Sequence, residues 1–153
     1  MKPIYVGADH AGFALKEKIK KWLTKKKILF IDLGDKKLRP KDDYPDYAVK
    51  VARAVAKHKS QGILMCGSAQ GICIAANKIK EIRAVAPYTL HEVKLSREHE
   101  DANIICLSGW FFTLMKAKKM IELFLNTPFS GEARHVRRIN KIKKLEKKQK
   151  WPN

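Results

Sequence analysis

The sequence predicts an α/β fold: a Rossmann-like three-layer sandwich with a five-stranded parallel sheet. Short apolar segments alternate along the chain with segments whose apolar residues recur at helical spacing. The strand-like segments are nearly continuous apolar runs, which is typical of parallel strands covered by helices on both faces. The length of 153 residues suits one hydrophobic core, so we expect a single domain over 1–153.

Five strand–helix units and one final helix follow in order. The predicted strands are 4–9, 28–34, 62–67, 82–88 and 103–109. The predicted helices carry the apolar positions of 13–23 and 47–55, and then span 71–79, 90–99, 110–126 and about 133–149. In the last helix Ile139, Ile142 and Leu145 recur every third residue, so we expect one docked face near a subunit partner. The residues 147–153 are expected to fray.

Charge is the outlying feature of the composition. The chain has 33 Lys and Arg against 15 Asp and Glu, a net charge of +18. Such an excess is compatible with an anionic partner. The basic residues, however, concentrate in 16–27 and 137–150, where they alternate with apolar residues at helical spacing, as on the solvated face of a helix. We do not expect a nucleic-acid partner.

Three cysteines without a CxxC pair or a Cys/His ligand spacing argue against disulfides and zinc, and suit a reducing compartment. The sequence shows no apolar stretch of roughly 20 residues and no signal-peptide pattern, so neither a membrane span nor secretion is expected. These observations predict a cytoplasmic protein.

Residues with chemical potential follow the predicted strands. Asp9 and His10 follow the first strand, the segment 66–71 closes the third, and Ser108 closes the fifth. His99 ends the helix after the fourth strand. Because ligands of such sheets bind beyond the carboxyl ends of the strands, we expect these groups to gather on one rim. Each has a plainer interpretation alone: Asp9 as a helix N-cap, Cys66 as a structural thiol, His99 as a surface residue.

The glycine-rich turn after Cys66 is the most informative segment. Small residues leave backbone N–H groups accessible where a helix begins, which suits a developing oxyanion. The same helix end is expected to lower the pKa of Cys66 and favour its thiolate. A thiolate there could serve as a nucleophile in acyl transfer or as a base next to a carbonyl, and the pattern leaves both open. GADHAG (7–12) has the glycine spacing of a phosphate-binding loop but lacks its Lys-Ser/Thr, so we do not expect a nucleoside triphosphate site. No GxGxxG is present, so we do not expect a dinucleotide site either.

Two arginines near the C-terminus suit a phosphate. Arg134 and Arg138 are four residues apart, so a helix places them on one face. Arginine binds phosphate with a fixed pair of donors, although a solvated basic face explains the same pattern.

Six segments together resemble the type B ribose-5-phosphate isomerases and the related allose and galactose 6-phosphate isomerases. They are GADHAGFALK (7–16), DYPDYA (43–48), CGSAQGICIAANK (66–78), IRA (82–84), LSREHEDAN (95–103) and RHVRRI (134–139). The resemblance runs in order from residue 3 to about 145. It implies an aldose–ketose isomerase that interconverts ribose 5-phosphate and ribulose 5-phosphate through an enediolate, without a metal or another cofactor.

The resemblance also implies roles for individual residues. Cys66 would be the base, Ser68 a hydroxyl near the enediolate oxygens, and Asp9 with His99 the pair that opens the furanose ring. The remaining substrate-binding candidates are Tyr44, the turn residues Gly67, Ala69, Gln70 and Gly71, Glu100, and on the phosphate side His10, Arg134 and Arg138. Members of the family are homodimers, often paired into tetramers, with sites completed across the interface.

Four positions depart from the family pattern. Ala69 replaces a glycine of the turn, Cys73 a serine, Glu100 an asparagine, and Trp110 an arginine that faces the phosphate. These departures keep two alternatives open. One is an isomerase of another phosphosugar, of the allose or galactose 6-phosphate type. The other is a non-catalytic basic binding module.

Overall fold

The structure, a computed structural model, describes residues 2–148. Its elements are β1 (Ile4–Ala8), α1 (His10–Lys25), β2 (Phe30–Asp32), α2 (Tyr44–His58), β3 (Gly62–Cys66), α3 (Gln70–Ala76), β4 (Ala84–Val85), α4 (Leu90–Glu98), β5 (Ile104–Ser108), α5 (Leu114–Asn126) and α6 (Ala133–Lys148). The strands form one parallel five-stranded sheet in the order β2-β1-β3-β5-β4. The predicted fold class is confirmed.

The two faces of the sheet bury two separate apolar clusters. Alternate residues of β3 divide between them: Ile63 and Met65 join a cluster with α1, α4 and α5, whereas Leu64 and Cys66 join one with α2 and α3. Because successive side chains of a strand point to opposite faces, this division creates the three layers. It also places Cys66 on the α2/α3 side.

Most strands and helices lie where the sequence predicts them, and the differences have local causes. The edge strand β4 is limited to Ala84–Val85. Its Ala84 exchanges two hydrogen bonds of 2.8 Å with the side-chain amide of Asn77, which occupies the outer edge of the strand. Helix α5 begins at Leu114 rather than at 110, because the Thr113 hydroxyl caps it by accepting from the Lys116 N–H.

Helix α6 forms as predicted, but only part of its apolar face is covered within the chain. His135 and Ile139 are buried, whereas Ile142 and Leu145 remain 40% and 62% exposed. Within one chain only Ile139 of the three aliphatic positions is docked, and the docking of this face near a subunit partner stays a prediction. Residue 149, the predicted end of the helix, and most of the segment expected to fray lie outside the described residues. None of the helices within residues 2–148 combines the length and the hydropathy that crossing a membrane requires.

Candidate active site

Strands β1 and β3 lie side by side at the centre of the sheet, with β2 on the other side of β1 and β5 on the other side of β3. The order in which the chain adds strands therefore reverses between β1 and β3. In parallel sheets such a point leaves a crevice beyond the carboxyl ends of the two strands. The Asp9 N–H donates to the Met65 carbonyl at 3.3 Å, which holds the end of β1 beside Cys66. Gly12 packs on the same carbonyl, because an added Cβ would lie 2.4 Å from the Met65 oxygen. Helix α1 therefore begins against the site.

Asp9 is a buried carboxylate that caps α1. Its Oδ1 accepts the Gly12 N–H at 3.0 Å, and the residue is 6% exposed. Burial raises the pKa of Asp9 above its ordinary value, although the N–H of Gly12 and the charge of His10 act in the opposite direction. A carboxyl group held this way can give and take a proton closer to neutral pH than an exposed aspartate.

Cys66 lies beneath the turn that follows β3 and is 4% exposed. Burial raises the pKa of this thiol, and the nearby charge of Asp9 raises it further. Backbone N–H groups of Ile72, Ala69 and Ser68 face the sulfur and lower its pKa, but they do not outweigh the burial. The expectation that the helix end leaves Cys66 with a lowered pKa is therefore wrong, since α3 is short and the thiol is desolvated.

Ala69 takes the left-handed backbone conformation at the start of α3. Its φ is 71° and its ψ is −12°, in the region that favours glycine. Its side chain is 3% exposed. The resulting backbone directs the Ala69 N–H toward Cys66, so the strained residue contributes to the thiol's surroundings.

Residues at the end of β5 hold the turn that follows Cys66 in place. The Ser108 hydroxyl donates to the Gly67 carbonyl at 2.6 Å, and the Gly109 N–H donates to the Cys66 carbonyl at 2.8 Å. Above the turn, Ser68 is partly exposed and Gln70 is exposed, and the Gln70 N–H donates weakly to the Ser68 hydroxyl at 3.4 Å. These bonds leave the upper side of the turn accessible to a ligand.

His10 stands at the rim of the crevice and is held by Asp42. Oδ1 of Asp42 accepts the His10 backbone N–H at 2.9 Å and lies 2.7 Å from the ring Nδ1. The hydrogen bond to Asp42 raises the pKa of His10, which favours the imidazolium. Ligand atoms of Asp9, His10 and Asp42 lie within 4.8 Å of one another, a spacing that a cation could bridge. The His10–Asp42 hydrogen bond already uses two of these atoms.

The loop that carries Asp42 is anchored at its beginning. Lys16 is fully buried and reaches Asp32 at 2.7 Å and the Asp35 carbonyl at 2.9 Å. The Tyr47 hydroxyl donates to Asp35 at 2.6 Å, and burial together with that bond raises the pKa of Tyr47. These contacts connect β2 and α2 across the loop.

The second group of predicted site residues lies at the other end of the sheet, where the strands begin. Ile104 pairs with the first residues of β3 and β4, Gly62 and Ala84, whereas Cys66 pairs with the last residue of β5, Ser108. His99 caps the carboxyl end of α4 and Ala102 bonds back to Ser96, directly before β5 begins. From Ile104 to Ser108 there are four residue steps of about 3.3 Å each, so the two ends of the sheet are separated by roughly 13 Å along the strands.

His99, Glu100, Arg134 and Arg138 therefore do not join Cys66 within one chain. The expectation that His99 lies on the same rim is wrong, because the helix that carries it runs antiparallel to the strands and returns the chain to their beginning. The His99 ring packs on that of His135 with centroids 4.2 Å apart. Nδ1 of the buried His135 lies 2.8 Å from the Ser130 hydroxyl.

The arginines project from the first two turns of α6. Arg134 is exposed and pairs with Glu132 at 2.8 Å. Arg138 follows one helical turn later, and Glu100 is likewise exposed. Within residues 2–148, neither Arg138 nor Glu100 forms an ion pair. This second group is an exposed basic surface around a histidine.

Two residues of these groups were not among the candidates from the sequence. Asp42 lies in a polar loop, 32 positions from His10, so spacing gave no signal of their contact. His135 is part of the RHVRRI segment, but only the tertiary structure brings α6 to the carboxyl end of α4, where its ring meets that of His99.

Comparison with known proteins gives one consistent result. The family model described as Ribose/Galactose Isomerase matches residues 4–142. The chain is 42% identical over 148 residues to the probable ribose-5-phosphate isomerase B of Mycoplasma pneumoniae, covering 96% of this chain and 97% of that protein. It is 38% identical over 150 residues to the ribose-5-phosphate isomerase B of Escherichia coli, covering 97% and 99%.

A solved structure agrees with the fold. The crystal structure of ribose-5-phosphate isomerase B from Mycoplasma genitalium with bound ribulose-5-phosphate superposes with a TM-score of 0.91 at 40% identity, covering 96% of this chain and 97% of that one. Since the family model, the relatives and this structure each span nearly the whole chain, the chain belongs to the ribose/galactose isomerase family.

Proposed function

We propose that this protein is an aldose–ketose isomerase that interconverts ribose 5-phosphate and ribulose 5-phosphate. The observation that carries the proposal is Cys66, a buried thiol facing backbone N–H groups beside the buried carboxyl of Asp9. Proton abstraction next to a carbonyl needs a base and donors for the oxygen that gains charge. The relatives named above are ribose-5-phosphate isomerases, so a hexose 6-phosphate substrate and a non-catalytic basic module are not favoured.

The reaction begins with the opening of the furanose ring. The C1 hydroxyl loses its proton to a base, the ring C1–O bond breaks, and the ring oxygen takes a proton. Asp9 suits one of these transfers because burial raises its pKa. His99 of a second subunit is the proposed partner for the other transfer. The product of this step is the open-chain aldehyde.

Isomerisation then moves one proton between adjacent carbons. The Cys66 thiolate takes the proton from C2, and the electrons of that bond form the enediolate with charge on O1. Backbone N–H groups of the 67–71 turn stabilise this oxygen. The O2 proton passes to O1, a transfer that the Ser68 hydroxyl is placed to assist. Cys66 returns its proton to C1, which leaves the ketone at C2 and restores the thiolate.

Substrate binding is assigned to the exposed groups around the turn. Tyr44 lies against Gly71, since an added Cβ there would lie 2.6 Å from the Tyr44 Cζ. His10, whose pKa is raised by the hydrogen bond to Asp42, attracts the phosphate at the rim of the crevice. Arg134 and Arg138 supply the remaining positive charge from the partner subunit.

A two-fold symmetric homodimer is part of this proposal. The two groups of candidate residues lie at opposite ends of the strands of one sheet. A two-fold symmetric pair would bring the Cys66 end of each subunit to the His99 end of its partner. The exposed Ile142 and Leu145 of α6 offer apolar area for such an interface. Pairing of dimers into tetramers follows from the family resemblance alone.

A role in the pentose phosphate pathway follows from the proposed substrate. A cytoplasmic location remains a prediction of the sequence and is supported by the three free thiols of Cys66, Cys73 and Cys106.

The proposal is tested by steady-state isomerisation of ribose 5-phosphate, with allose 6-phosphate and galactose 6-phosphate as comparison substrates. The wild-type protein is expected to prefer ribose 5-phosphate. Cys66→Ala is expected to abolish turnover without loss of fold, and Cys73→Ser serves as the matched control. Because burial raises the pKa of Cys66, kcat/KM should increase with pH as the thiolate forms. Full activity of Cys66→Ala would remove the thiol from the mechanism.

A further inference from the structure

Trp110 covers the other end of the turn from Tyr44. An added Cβ on Gly67 would lie 2.5 Å from Cζ2 and 2.6 Å from Cε2 of the Trp110 indole. The absence of a side chain at Gly67 therefore lets one face of the indole rest on the backbone directly after Cys66. The turn lies between two aromatic side chains, with Trp110 on Gly67 and Tyr44 on Gly71.

The backbone of Trp110 is fixed in this position. Its N–H donates to the Gly67 carbonyl at 3.2 Å, and the Ser108 hydroxyl donates to the same carbonyl. The next residue, Phe111, donates its N–H to the Ser108 hydroxyl at 3.0 Å. Two hydrogen bonds thus tie the segment 108–111 to Gly67 of the turn, and a third, within the segment, fixes the Ser108 hydroxyl. The indole is placed by the same bonds that fix the site.

The indole is nevertheless 67% exposed, which is unusual for so large an apolar side chain with a fixed backbone. A residue that only stabilised the fold would bury this surface in the core. Here one ring face rests on Gly67, the Phe111 ring meets the indole edge-on with centroids 6.3 Å apart, and most of the remaining ring surface stays open beside the turn. The open surface is available to a ligand bound over the turn.

The chemistry of an indole face indicates which part of the substrate it contacts. The face carries negative quadrupole density, so it attracts groups with partial positive charge and does not attract phosphate. The carbon-bound hydrogens of a sugar carry such partial charge, and their carbons bury apolar area on the ring. An indole at this position therefore suits the carbon chain of a substrate rather than its phosphate.

We propose that Trp110 is a substrate-contacting wall of the site, on which the carbon chain of the phosphosugar lies while the enediolate forms. This inference rests on the proposed isomerase function and adds a second effect to it. A ring that covers the substrate keeps water from the proton held by Cys66. More of the proton taken from C2 then returns to C1 instead of exchanging with solvent.

The test compares wild type with Trp110→Ala and Trp110→Phe on ribose 5-phosphate carrying deuterium at C2. We expect Trp110→Ala to lower kcat/KM by roughly tenfold, the size of effect when about two sugar carbons lose their apolar contact with the ring. It should also reduce the fraction of deuterium found at C1 of ribulose 5-phosphate by NMR. Trp110→Phe should retain most of both values. Inhibition by inorganic phosphate should change less than about twofold in either variant.

Several results would overturn the inference. One is a Trp110→Ala protein with kcat/KM within about twofold of wild type and unchanged deuterium retention, since a wall that contacts substrate cannot be removed without effect. Another is a large loss of phosphate inhibition in Trp110→Ala, which would place the indole at the phosphate. If wild type itself does not isomerise ribose 5-phosphate, the proposed function fails and this inference fails with it.

Discussion

A single oxygen of Asp42 holds His10 at both its backbone N–H and its ring Nδ1, at 2.9 and 2.7 Å. Burial raises the pKa of Asp42, but the hydrogen bonds from His10 outweigh it, and the net pKa lies below the ordinary value. The carboxylate is therefore an acceptor only, so Nδ1 carries the proton and Nε2 remains for the ligand. The same bond raises the pKa of His10.

The substitution Asp42→Asn should weaken phosphate binding above neutral pH. The amide side chain retains an acceptor oxygen but loses the charge that favours the imidazolium, so the pKa of His10 should fall toward its ordinary value. Protonation of His10, and with it attraction of phosphate, is then lost at a lower pH than in wild type. NMR titration of His10 and competitive inhibition by inorganic phosphate, each followed from slightly acidic to alkaline pH, measure the shift.

The neighbouring Asp43 provides the matched control for this substitution. It is exposed and makes no side-chain cap bond at the start of α2. Asp43→Asn removes the same formal charge and should leave the His10 titration close to wild type. Equal shifts in the two variants would mean that net charge, not the hydrogen bond, sets the pKa.

Asp9 allows stability and activity to be separated by two substitutions. Asparagine is as good an N-cap as aspartate, so Asp9→Asn should keep α1 capped while it removes the ionisable group. Asp9→Ala should lose the bond from Gly12 and about 1 kcal/mol of unfolding free energy. Both variants should lose most isomerase activity, measured beside urea unfolding at neutral pH.

The pH dependence of this pair has a definite sign. The folded pKa of Asp9 is raised, so its carboxyl group contributes stability at low pH, and that contribution is lost as the pH rises through the folded pKa. Relative to wild type, Asp9→Asn should therefore be at least as stable at neutral pH and gain less on acidification. A wild-type level of activity in Asp9→Asn would contradict a proton-transfer role for the carboxyl.

Ala69 shows how a strained residue can persist in the turn. Glycine would relieve roughly 1–2 kcal/mol of left-handed strain. It would also lose about 0.8 kcal/mol of buried methyl and add about 0.4–1 kcal/mol of unfolded-chain entropy. These contributions nearly cancel, so Ala69→Gly should change the unfolding free energy by less than about 1 kcal/mol. Because the N–H toward Cys66 is kept, activity should stay within a few-fold of wild type.

Valine at the same position provides the contrast. A β-branched residue is a clear outlier at a φ of 71°, and its extra carbons enter a site that is 3% exposed. Ala69→Val should lose about 2 kcal/mol or more in urea unfolding. If valine were tolerated as well as glycine, the strain argument would fail.

The extent of the sequence-based prediction has a physical explanation. Hydrophobic periodicity is local, so it located most of the elements closely enough to give the parallel sheet and its helical layers. The turn after Cys66 was recognisable because its small residues are contiguous in sequence. The contact of Asp42 with His10 and the packing of His99 on His135 depend on long-range tertiary structure, which single-sequence patterns do not encode.

The pKa of Cys66 was predicted in the wrong direction for a related reason. Helix ends and backbone donors can be inferred from the sequence, but the degree of burial cannot. At 4% exposure, desolvation exceeds the favourable N–H groups. The predicted position of His99 is wrong because α4, the helix of a parallel unit, leads the chain back to the end of the sheet at which the strands begin.

Because Cys66 and His99 lie at opposite ends of the strands, the proposed dimer can be tested by complementation. Cys66→Ala and His99→Asn should each be inactive as purified homodimers. When the two are unfolded together, mixed in equal amounts and refolded, half of the dimers should be heterodimers, each with one site that has both residues. Such a mixture should recover about a quarter of wild-type activity, since one of two sites works in half of the molecules.

Two controls define the outcome of complementation. The variants refolded separately and then combined should stay inactive until subunits exchange. A double variant, Cys66→Ala with His99→Asn, refolded with wild type should yield heterodimers without any site of full composition. If the mixed single variants recover no activity although heterodimers form, Cys66 and His99 do not act in one shared site.

Helix α6 is tested by truncation after Glu132, which removes Arg134 and Arg138. The truncated protein should lose isomerase activity, and one that remains dimeric and active would contradict the role of the two arginines.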